Sequence, residues 1–355
     1  MKVSVLIPYY NDERFLRQAI ESVLTQTFAD FELVLVNHAS TDGSRAIARS
    51  FGDSRIVHVD MPVNHGAGGG LVLAEFMKVA RGEYVKFFCA DDIMRPDCLT
   101  MLVGYMESHR ELSFAFGDLE YVDVFGKDLA EHWFAARPKF SLNLTEVDCL
   151  RLFADGYSFL PWIGSIVRRA VLSEIELDAT LVMMFDMSVW IQLLLRGYRL
   201  GFVESAVASY RIHDEQVSGL AHQLSAIRLS ICERQVFFRL FQNCRDVALV
   251  REIFAEDGFV RRLETIENIP LVVALHYLSC DKRATWAYQY VHDCLQDPVR
   301  REAAESGIGI TVAGFRDLVS SLADAPRPRG MWVRFRDWWL RRRPRQRDEF
   351  GGYSL

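Results

Sequence analysis

The chain has 355 residues, of which 50% are hydrophobic, so it can bury one large core or two smaller ones. Its net charge of -6 argues against a general nucleic-acid-binding protein. The 7 cysteines show no CxxC or zinc-finger spacing, which is typical of reduced thiols in a cytosolic protein. The first residues lack the apolar run of a signal peptide, and no run of about 18 apolar residues predicts a membrane span. We therefore expect a cytoplasmic protein.

Strands and helices alternate from the first residues onward. Val3 to Ile7 is an apolar, β-branched run closed by Pro8, which is typical of a buried parallel strand. Asn11 or Asp12 is expected to cap the helix that follows. The apolar face of that helix consists of Phe15, Leu16, Ala19, Ile20, Val23 and Leu24.

The alternation continues through the first hundred residues. Further strands are predicted at 31–36, 56–59 and 84–88, with helices between them. This spacing predicts a mainly parallel sheet with right-handed crossovers. Ligands of such sheets bind at the carboxyl ends of the strands. The loops at 8–11, 37–42 and 89–92 each follow a predicted strand and are therefore the expected binding loops.

The predicted secondary structure changes twice in the rest of the chain. Short strands are predicted at 114–116 and 163–167, and a helix at 187–196. From about 220 to 322 the pattern is mainly helical, which we interpret as an addition that packs on the preceding domain or on another subunit.

A basic aromatic tail follows the Pro- and Arg-rich break at 325–330. In the segment 331–343, Trp332, Phe335 and Trp339 lie on one helical stripe, and arginines flank it. Such a helix can bind an anionic membrane surface. The alternative is that the tryptophans pack on the protein and the arginines are solvated.

Two adjacent carboxylates, Asp91 and Asp92, follow the fourth predicted strand. Adjacent carboxylates repel each other unless a cation or base neutralises them, and Mg²⁺ or Mn²⁺ binds one or two carboxylates together with substrate phosphates. The pair therefore predicts a metal–diphosphate site. The alternative is a helix cap, because acidic residues commonly precede helices, and Pro96 suits the first turn of a helix here.

Two later residues and one glycine-rich segment are further candidates. Asp186 precedes an apolar helix, where it is either an N-cap or a general base. His213 follows a predicted strand and is either a metal or phosphate ligand or an ordinary core or surface histidine. The segment 66–70 fails the GxGxxG pattern because Leu71 occupies the last glycine position. We interpret it as flexible or closely packed backbone.

Together these segments resemble the family 2 glycosyltransferases, which have the GT-A fold. The resemblance covers about residues 1–218 and rests on the order of its landmarks. These are the strand and Pro-x-Tyr-Asn turn at 3–11, the helix Ile20 to Thr27, the strand and Ser-Thr-Asp loop at 31–42, Ala80 to Val85, Cys89 to Asp92, Trp162 to Ser165, Asp186 to Trp190, and Arg211 to His213. The resemblance implies an α/β GT-A fold with a mainly parallel sheet, and the pattern after about residue 220 adds a C-terminal helical region outside the family core.

The resemblance also implies roles for individual residues. Asp92 and His213 are expected to bind Mg²⁺ or Mn²⁺, and Asp186 is expected to deprotonate the acceptor hydroxyl. Gly164 and Ser165 are expected on the acceptor side. The donor, a UDP-sugar by family default, is expected to contact Pro8, Tyr10, Asn11, His38 and Asp91. The implied acceptor is a saccharide, a lipid-linked sugar or a small molecule.

Three departures from the family pattern limit these expectations. Asn37-His38-Ala39-Ser40 replaces Asp-Asp-Gly-Ser, so a neutral ring nitrogen of His38 would have to accept the hydrogen bond that a carboxylate accepts from uracil. The identity of the base is therefore open. Cys89 replaces the first Asp of the Asp-x-Asp-Asp form, although two carboxylates are retained. The segment 69–72 lacks the family's phosphate-facing Arg.

We expect a catalytic domain at 1–218, with a donor half at 1–100 and an acceptor half at 101–218, then a helical region at 219–323 and a tail at 324–355. The predicted function is inverting, metal-dependent transfer of a sugar in polysaccharide, glycolipid or glycosylated-metabolite biosynthesis. The protein is expected in the cytoplasm or at the inner membrane face, without nucleic acid. Its oligomeric state is open, and a homodimer is one option. The alternatives are a non-catalytic nucleotide-sugar-binding protein and a nucleotidyltransferase on a similar fold.

Overall fold

The computed structural model describes residues 1–66, 69–182, 184–214, 216, 233, 235–236, 238–280 and 284–324. Spatial contacts group the chain into two units, Met1–Thr311 and Val312–Leu355. In the second unit the described residues form a helix over Val312–Asp324. The predicted aromatic tail at 331–343 lies outside the described residues, so its membrane contact stays a prediction.

One sheet organises the first unit. Its described strands are β1 (Val3–Tyr9), β2 (Phe31–Asn37), β3 (Ile56–Asp60), β4 (Tyr84–Phe87), β5 (Ile93–Met94), β6 (Phe114–Val122), β7 (Asp128–His132), β8 (Ser165–Arg168) and β9 (Leu200–Arg211). Their order is β3-β2-β1-β4-β8-β6-β9-β5, and β7 pairs with β6. The first four strands are parallel, as predicted, whereas β8 is antiparallel to both β4 and β6. The α/β class is thus confirmed, but the sheet is more mixed than the expected mainly parallel one.

Helices flank the strands along the chain and form most of the described residues after β9. They are α1 (Leu16–Leu24), α2 (Ser44–Arg49), α3 (Gly69–Val79), α4 (Cys98–Ser108), α5 (Glu146–Ala154), α6 (Arg169–Leu172), α7 (Phe185–Leu195), α8 (Val247–Ile253), α9 (Ile269–Cys280), α10 (Thr285–Gln296), α11 (Pro298–Ala303) and α12 (Val312–Asp324). In the described part of the chain, no helix has the length and apolar composition that crossing a bilayer requires.

The core beside the candidate site lies between the sheet and helices α1 and α4. Val3, Val5 and Ile7 of β1 face this core, and Leu6 is buried on the other face. Because both faces of β1 are covered, its sequence is mostly apolar rather than alternating, with Ser4 as the one polar residue. In α1 the buried residues are Leu16, Ala19, Ile20 and Val23, which share one helical face.

A buried carboxylate fixes the amino-terminal ends of these strands. Glu32 of β2 is fully buried and accepts hydrogen bonds from Ser4 Oγ at 2.6 Å and from Arg81 N at 2.7 Å. Gly82 N donates to the same Ser4 hydroxyl at 2.8 Å. A Cβ atom at Gly82 would collide with the backbone nitrogen of Ser4, so this turn requires glycine.

The predicted start of α1 is wrong. The helix begins at Leu16, and its N-cap residue, Phe15, makes no capping bond through its side chain. Asn11 has the left-handed φ of 56°, and the Asp12 carboxylate accepts from Tyr10 N at 2.8 Å. Neither residue caps the helix, because both belong to the tight turn that leaves β1.

The predicted start of α4 is also wrong. The helix begins at Cys98, so Pro96 precedes its first turn. The carbonyl of Pro96 accepts from Thr27 N at 2.9 Å, and the carbonyl of Arg95 accepts from Gln26 Nε2 at 2.6 Å. These contacts hold residues 95 and 96 against the end of α1 and delay the start of the helix.

Candidate active site

The three loops that were predicted from strand ends meet at one edge of the sheet. The Asn11 carboxamide oxygen accepts from Thr41 N at 2.8 Å, and Asn11 N donates to Ser40 Oγ at 3.2 Å. Asp12 is close enough to Asp91 for their charges to interact, and burial together with this repulsion raises the pKa of Asp12 to about 6. The parallel strands β1, β2 and β4 bring these loops together because their carboxyl ends lie side by side.

The predicted donor-binding residues flank this edge. Tyr10 is 43% exposed at the end of β1, so its ring is accessible to a ligand. Pro8 is half-buried opposite Val36 in β2. The structure therefore places the predicted residues at one edge, and their contact with a base stays a prediction.

His38 is buried in a defined tautomer. Its Nε2 atom lies 3.0 Å from the backbone nitrogen of His65, and a backbone N–H can only donate. Nε2 is therefore the acceptor, and Nδ1 bears the hydrogen of the neutral ring. Burial and the nearby His65 ring lower the pKa of His38, which favours this neutral form. The acceptor nitrogen that was expected to contact a base is occupied by the protein itself.

The carboxylate pair lies in a compact cluster. One oxygen of Asp91, one oxygen of Asp92 and the Cys89 sulfur all lie within 4.8 Å of one another. Asp92 is 2% exposed, and burial together with the charge of Asp91 raises its pKa well above the ordinary value. The residue that precedes α4 is Asp97, so the alternative of a helix cap does not account for the pair.

Arg211 joins this cluster to two other elements. It is 2% exposed, and its Nε donates to the Asp91 carbonyl at 2.7 Å. The other guanidinium nitrogens donate to Val124 O at 3.0 Å and to Gln18 Oε1 at 2.7 Å. Its backbone N–H donates to the Asp92 carboxylate at 2.8 Å. No role for Arg211 was predicted from the sequence, because its partners, backbone carbonyls and one side-chain oxygen, are far away in the sequence.

His213 lies directly beside Asp91 of the pair, and its contact with a metal stays a prediction. Its Nε2 atom is 3.0 Å from the Asp91 carboxylate, and its ring packs against Phe15 at 4.8 Å between centroids. In the described structure its Nδ1 atom is buried without a hydrogen-bond partner. If Nε2 donates to Asp91, Nδ1 has a free lone pair, which is the form in which histidine binds a metal.

Asp186 lies in the first turn of α7 and is not its N-cap, which is Met184. Burial raises the pKa of Asp186 to about 6. Glu233, from the helical region, accepts from Val182 N at 2.7 Å and from Met184 N at 2.8 Å, and so fixes the start of the helix. Glu233 was not among the predicted site residues, since no local sequence pattern connects it to α7.

The glycine-rich segment lies beside the same helix. A Cβ atom at Gly69 would be 2.5 Å from the Phe185 ring, and one at Gly70 would be 2.8 Å from the Asp178 carbonyl. The interpretation as closely packed backbone is therefore confirmed for these two glycines.

The predicted acceptor-side residues are inside the protein. Ser165 is fully buried, and its hydroxyl donates to the Trp162 carbonyl at 2.6 Å. A Cβ atom at Gly164 would be 2.7 Å from the Gly117 carbonyl. Both residues therefore have a packing role, and contact with an acceptor stays a prediction.

Comparison with known proteins identifies the class. Residues 4–175 match the sequence profile described as glycosyl transferase family 2, and this part of the chain belongs to that family. The uncharacterized glycosyltransferase MJ1057 of Methanocaldococcus jannaschii is 27% identical over 214 residues, which are 59% of this chain and 70% of that protein. A crystal structure of S. aureus TarS 1-349 with UDP has a TM-score of 0.53 at 18% identity, with 93% of each chain covered. This likeness confirms the GT-A fold.

A relative with a named activity matches only in part. Escherichia coli WfgD, described as UDP-Glc:alpha-D-GlcNAc-diphosphoundecaprenol beta-1,3-glucosyltransferase, is 34% identical over 131 residues. The match spans 36% of this chain and 51% of WfgD, which is about half of that relative's length. Matches to two further curated relatives span 53% and 64% of their lengths.

Proposed function

We propose that this protein transfers a sugar from a nucleoside-diphosphate sugar to an acceptor hydroxyl, with inversion at the anomeric carbon. The observation that supports this most directly is the joint placement of Asp91, Asp92 and His213 at the edge where the loops after β1 and β2 meet. The catalytic domain is proposed to be residues 1–218, with the helical region 219–323 supporting it through Glu233.

The residues at this edge fit a divalent metal ion. Asp91 and Asp92 are adjacent carboxylates, and the guanidinium of Arg211 is directed at carbonyl oxygens instead of at them. Burial raises the pKa of the Cys89 thiol, so the sulfur is a neutral and poor ligand for a hard cation. Mg²⁺ or Mn²⁺ bound by Asp92 and His213 would stabilise the charge of the departing nucleoside diphosphate.

Asp186 is the proposed general base. Its partly buried position gives the carboxylate a pKa of about 6, which is high enough for effective proton acceptance and low enough for ionisation at neutral pH. The carboxylate would accept the proton of the acceptor hydroxyl as the new bond to the anomeric carbon forms. Asp91 would contact the donor, and the Tyr10 ring would stack on its base.

The names of two similar proteins support a proposed substrate class. WfgD is named for a UDP-sugar donor and a diphosphoundecaprenol-linked acceptor, and TarS was crystallised with UDP. We propose a nucleoside-diphosphate hexose as donor and a saccharide of cell-surface polysaccharide assembly as acceptor. A cytoplasmic location, with the tail 331–343 at the membrane surface, would give access to a lipid-linked acceptor.

The test is donor turnover by the full chain. UDP-Glc, UDP-GlcNAc, GDP-Man and a dTDP-sugar are incubated with Mn²⁺ or with EDTA, and released nucleoside diphosphate is quantified. We expect release from one donor, only with metal, and its loss in Asp92→Asn. Asp155→Asn is the matched control, because that carboxylate is 64% exposed and pairs only with Lys139 among the described residues.

Two other results would contradict the proposal. Nucleotide binding without any release would favour the non-catalytic nucleotide-sugar-binding protein. Pyrophosphate release from a nucleoside triphosphate and a sugar 1-phosphate would favour the nucleotidyltransferase.

A further inference from the structure

The turn between β6 and β7 exposes an aromatic side chain near the carboxylate pair. Phe125 is 87% exposed, and no other large hydrophobic side chain in the described residues is more exposed. A single exposed aromatic residue is common on protein surfaces and needs no function. Phe125 differs from that ordinary case in two respects: its turn has ordered backbone, and the turn is attached to the candidate active site.

The turn that holds Phe125 is fixed by its own sequence. One carboxylate oxygen of Asp123 accepts from Phe125 N and from Lys127 N, both at 2.9 Å. Asp123 N donates to the Lys127 carbonyl at 2.9 Å, which closes the turn. Gly126 has a φ of +84°, in the region that favours glycine. Phe125 is therefore presented on ordered backbone, and a ligand would not have to order it.

The same turn is attached to the candidate active site. The Arg211 guanidinium donates to Val124 O at 3.0 Å and to Asp91 O at 2.7 Å. These two carbonyl oxygens are therefore within about 8 Å of each other, since two hydrogen bonds and one guanidinium span the gap. The Val124 carbonyl is bonded to the backbone nitrogen of Phe125. The other carbonyl belongs to Asp91, whose side chain is part of the carboxylate pair.

The sheet order places this turn away from the proposed nucleotide pocket. Strand β8 is antiparallel to both β4 and β6, so β4 and β6 point in the same direction and end at the same edge. In the order β2-β1-β4-β8-β6, the loop after β4 lies between the β2 end and the β6 end. The carboxylate pair thus lies between Phe125 and His38 along this edge, so the turn is on the side of the pair opposite the proposed base site.

We propose that Phe125 packs against the apolar C–H face of a sugar ring of the acceptor. This inference rests on the proposed glycosyl transfer. A flat ring that is rigid and exposed matches the size of one pyranose face, and the exposed charges of Lys127 and Asp128 can contact the ring hydroxyls. A membrane surface is the weaker match, because one aromatic side chain between charges of both signs does not anchor a protein to a bilayer.

The test compares acceptor binding among variants of the full chain. Wild type, with UDP and Mn²⁺, is titrated with a panel of methyl pyranosides and short oligosaccharides by NMR saturation transfer. For the best-bound glycoside we expect Phe125→Ala to raise Kd about tenfold, which corresponds to about 1.4 kcal/mol. Phe125→Trp keeps a flat ring and should retain affinity, whereas Phe125→Leu should lose most of it. Val299→Ala is the matched control, because Val299 is 77% exposed on α11.

Several outcomes would overturn this proposal. One is equal affinity in Phe125→Ala; another is a wild-type protein that hydrolyses donor yet binds no glycoside of the panel. A third is loss of binding to phosphatidylcholine–phosphatidylglycerol vesicles in Phe125→Ala with glycoside affinity unchanged, which would assign the side chain to a membrane. Donor hydrolysis is measured for every variant. If wild type hydrolyses no donor, the proposed glycosyl transfer is contradicted. If Phe125→Ala still hydrolyses donor, its loss of affinity concerns the acceptor alone.

Discussion

Burial determines the protonation state of the key side chains at the candidate site. It raises the pKa of Asp186 to about 6 and that of Asp92 well above the ordinary value, and it lowers the pKa of His38. In each case the charged form loses hydration that the protein does not fully replace. A bound cation would favour the ionised form of Asp92, so metal binding and proton release are expected to be coupled there.

The raised pKa of Asp186 predicts the acid limb of the pH profile. A general base acts in its ionised form, so kcat/KM should fall as the pH drops below about 6 and approach a tenfold loss per pH unit. Asp186→Asn should lose about 10²- to 10⁴-fold in kcat while donor Kd is retained. Steady-state kinetics of wild type and Asp186→Asn between about pH 5 and 8 check the pH profile and the loss of kcat. Full activity of the Asn variant would remove Asp186 from the mechanism.

Sequence patterns predicted the residues of the site that follow strand ends. Asp91 and His213 are close together because each follows a strand of the same sheet, and that position is readable from apolar runs. Arg211 was named only as part of a family landmark, and Glu233 was not named, because both bind backbone groups of distant segments. Such contacts depend on tertiary structure and leave no local spacing in the sequence.

The strands of the donor half were more predictable than the later ones. Strands β1 to β4 are apolar runs separated by amphipathic segments, which indicates parallel pairing. Strand β8 has only four residues, too few to show a period, so its antiparallel insertion between β4 and β6 was not predicted. The starts of α1 and α4 were misplaced because contacts with neighbouring segments determine them.

The turn from α3 to β4 allows a direct test of the packing in the donor half. Gly82→Ala should lower the free energy of unfolding by about 2–3 kcal/mol, because the added methyl group meets the backbone of Ser4, which cannot move aside. Urea denaturation monitored by circular dichroism measures the change. Gly52→Ala is the control, since nothing lies within 4 Å of its Cβ position, and it should leave stability equal or slightly higher. Equal urea midpoints for Gly82→Ala and Gly52→Ala would show that the added methyl group at Gly82 does not collide with the backbone of Ser4.

The whole molecule combines a family domain with a helical region that supports it. The family match covers residues 4–175, whereas Asp186 and His213 lie beyond it. Glu233 lies further along the chain and holds the start of the helix that contains Asp186. The function proposed for the family part is thus expected to depend on the helical region. Sequence patterns identified that region as helical but did not indicate the contact of Glu233 with the start of α7.

The most direct test of the central claim is a thermal-shift titration of the full chain with UDP, GDP, dTDP and CDP, each with and without Mn²⁺. Asp92→Asn retains the acceptor for the Arg211 N–H and should fold, so it isolates the charge of this carboxylate. We predict that at least one nucleotide raises Tm only when metal is present, and that Asp92→Asn abolishes this increase. Binding at a concentration about 100 times Kd should contribute about 2.7 kcal/mol to stability. The absence of any metal-dependent shift with all four nucleotides would contradict the account of this site.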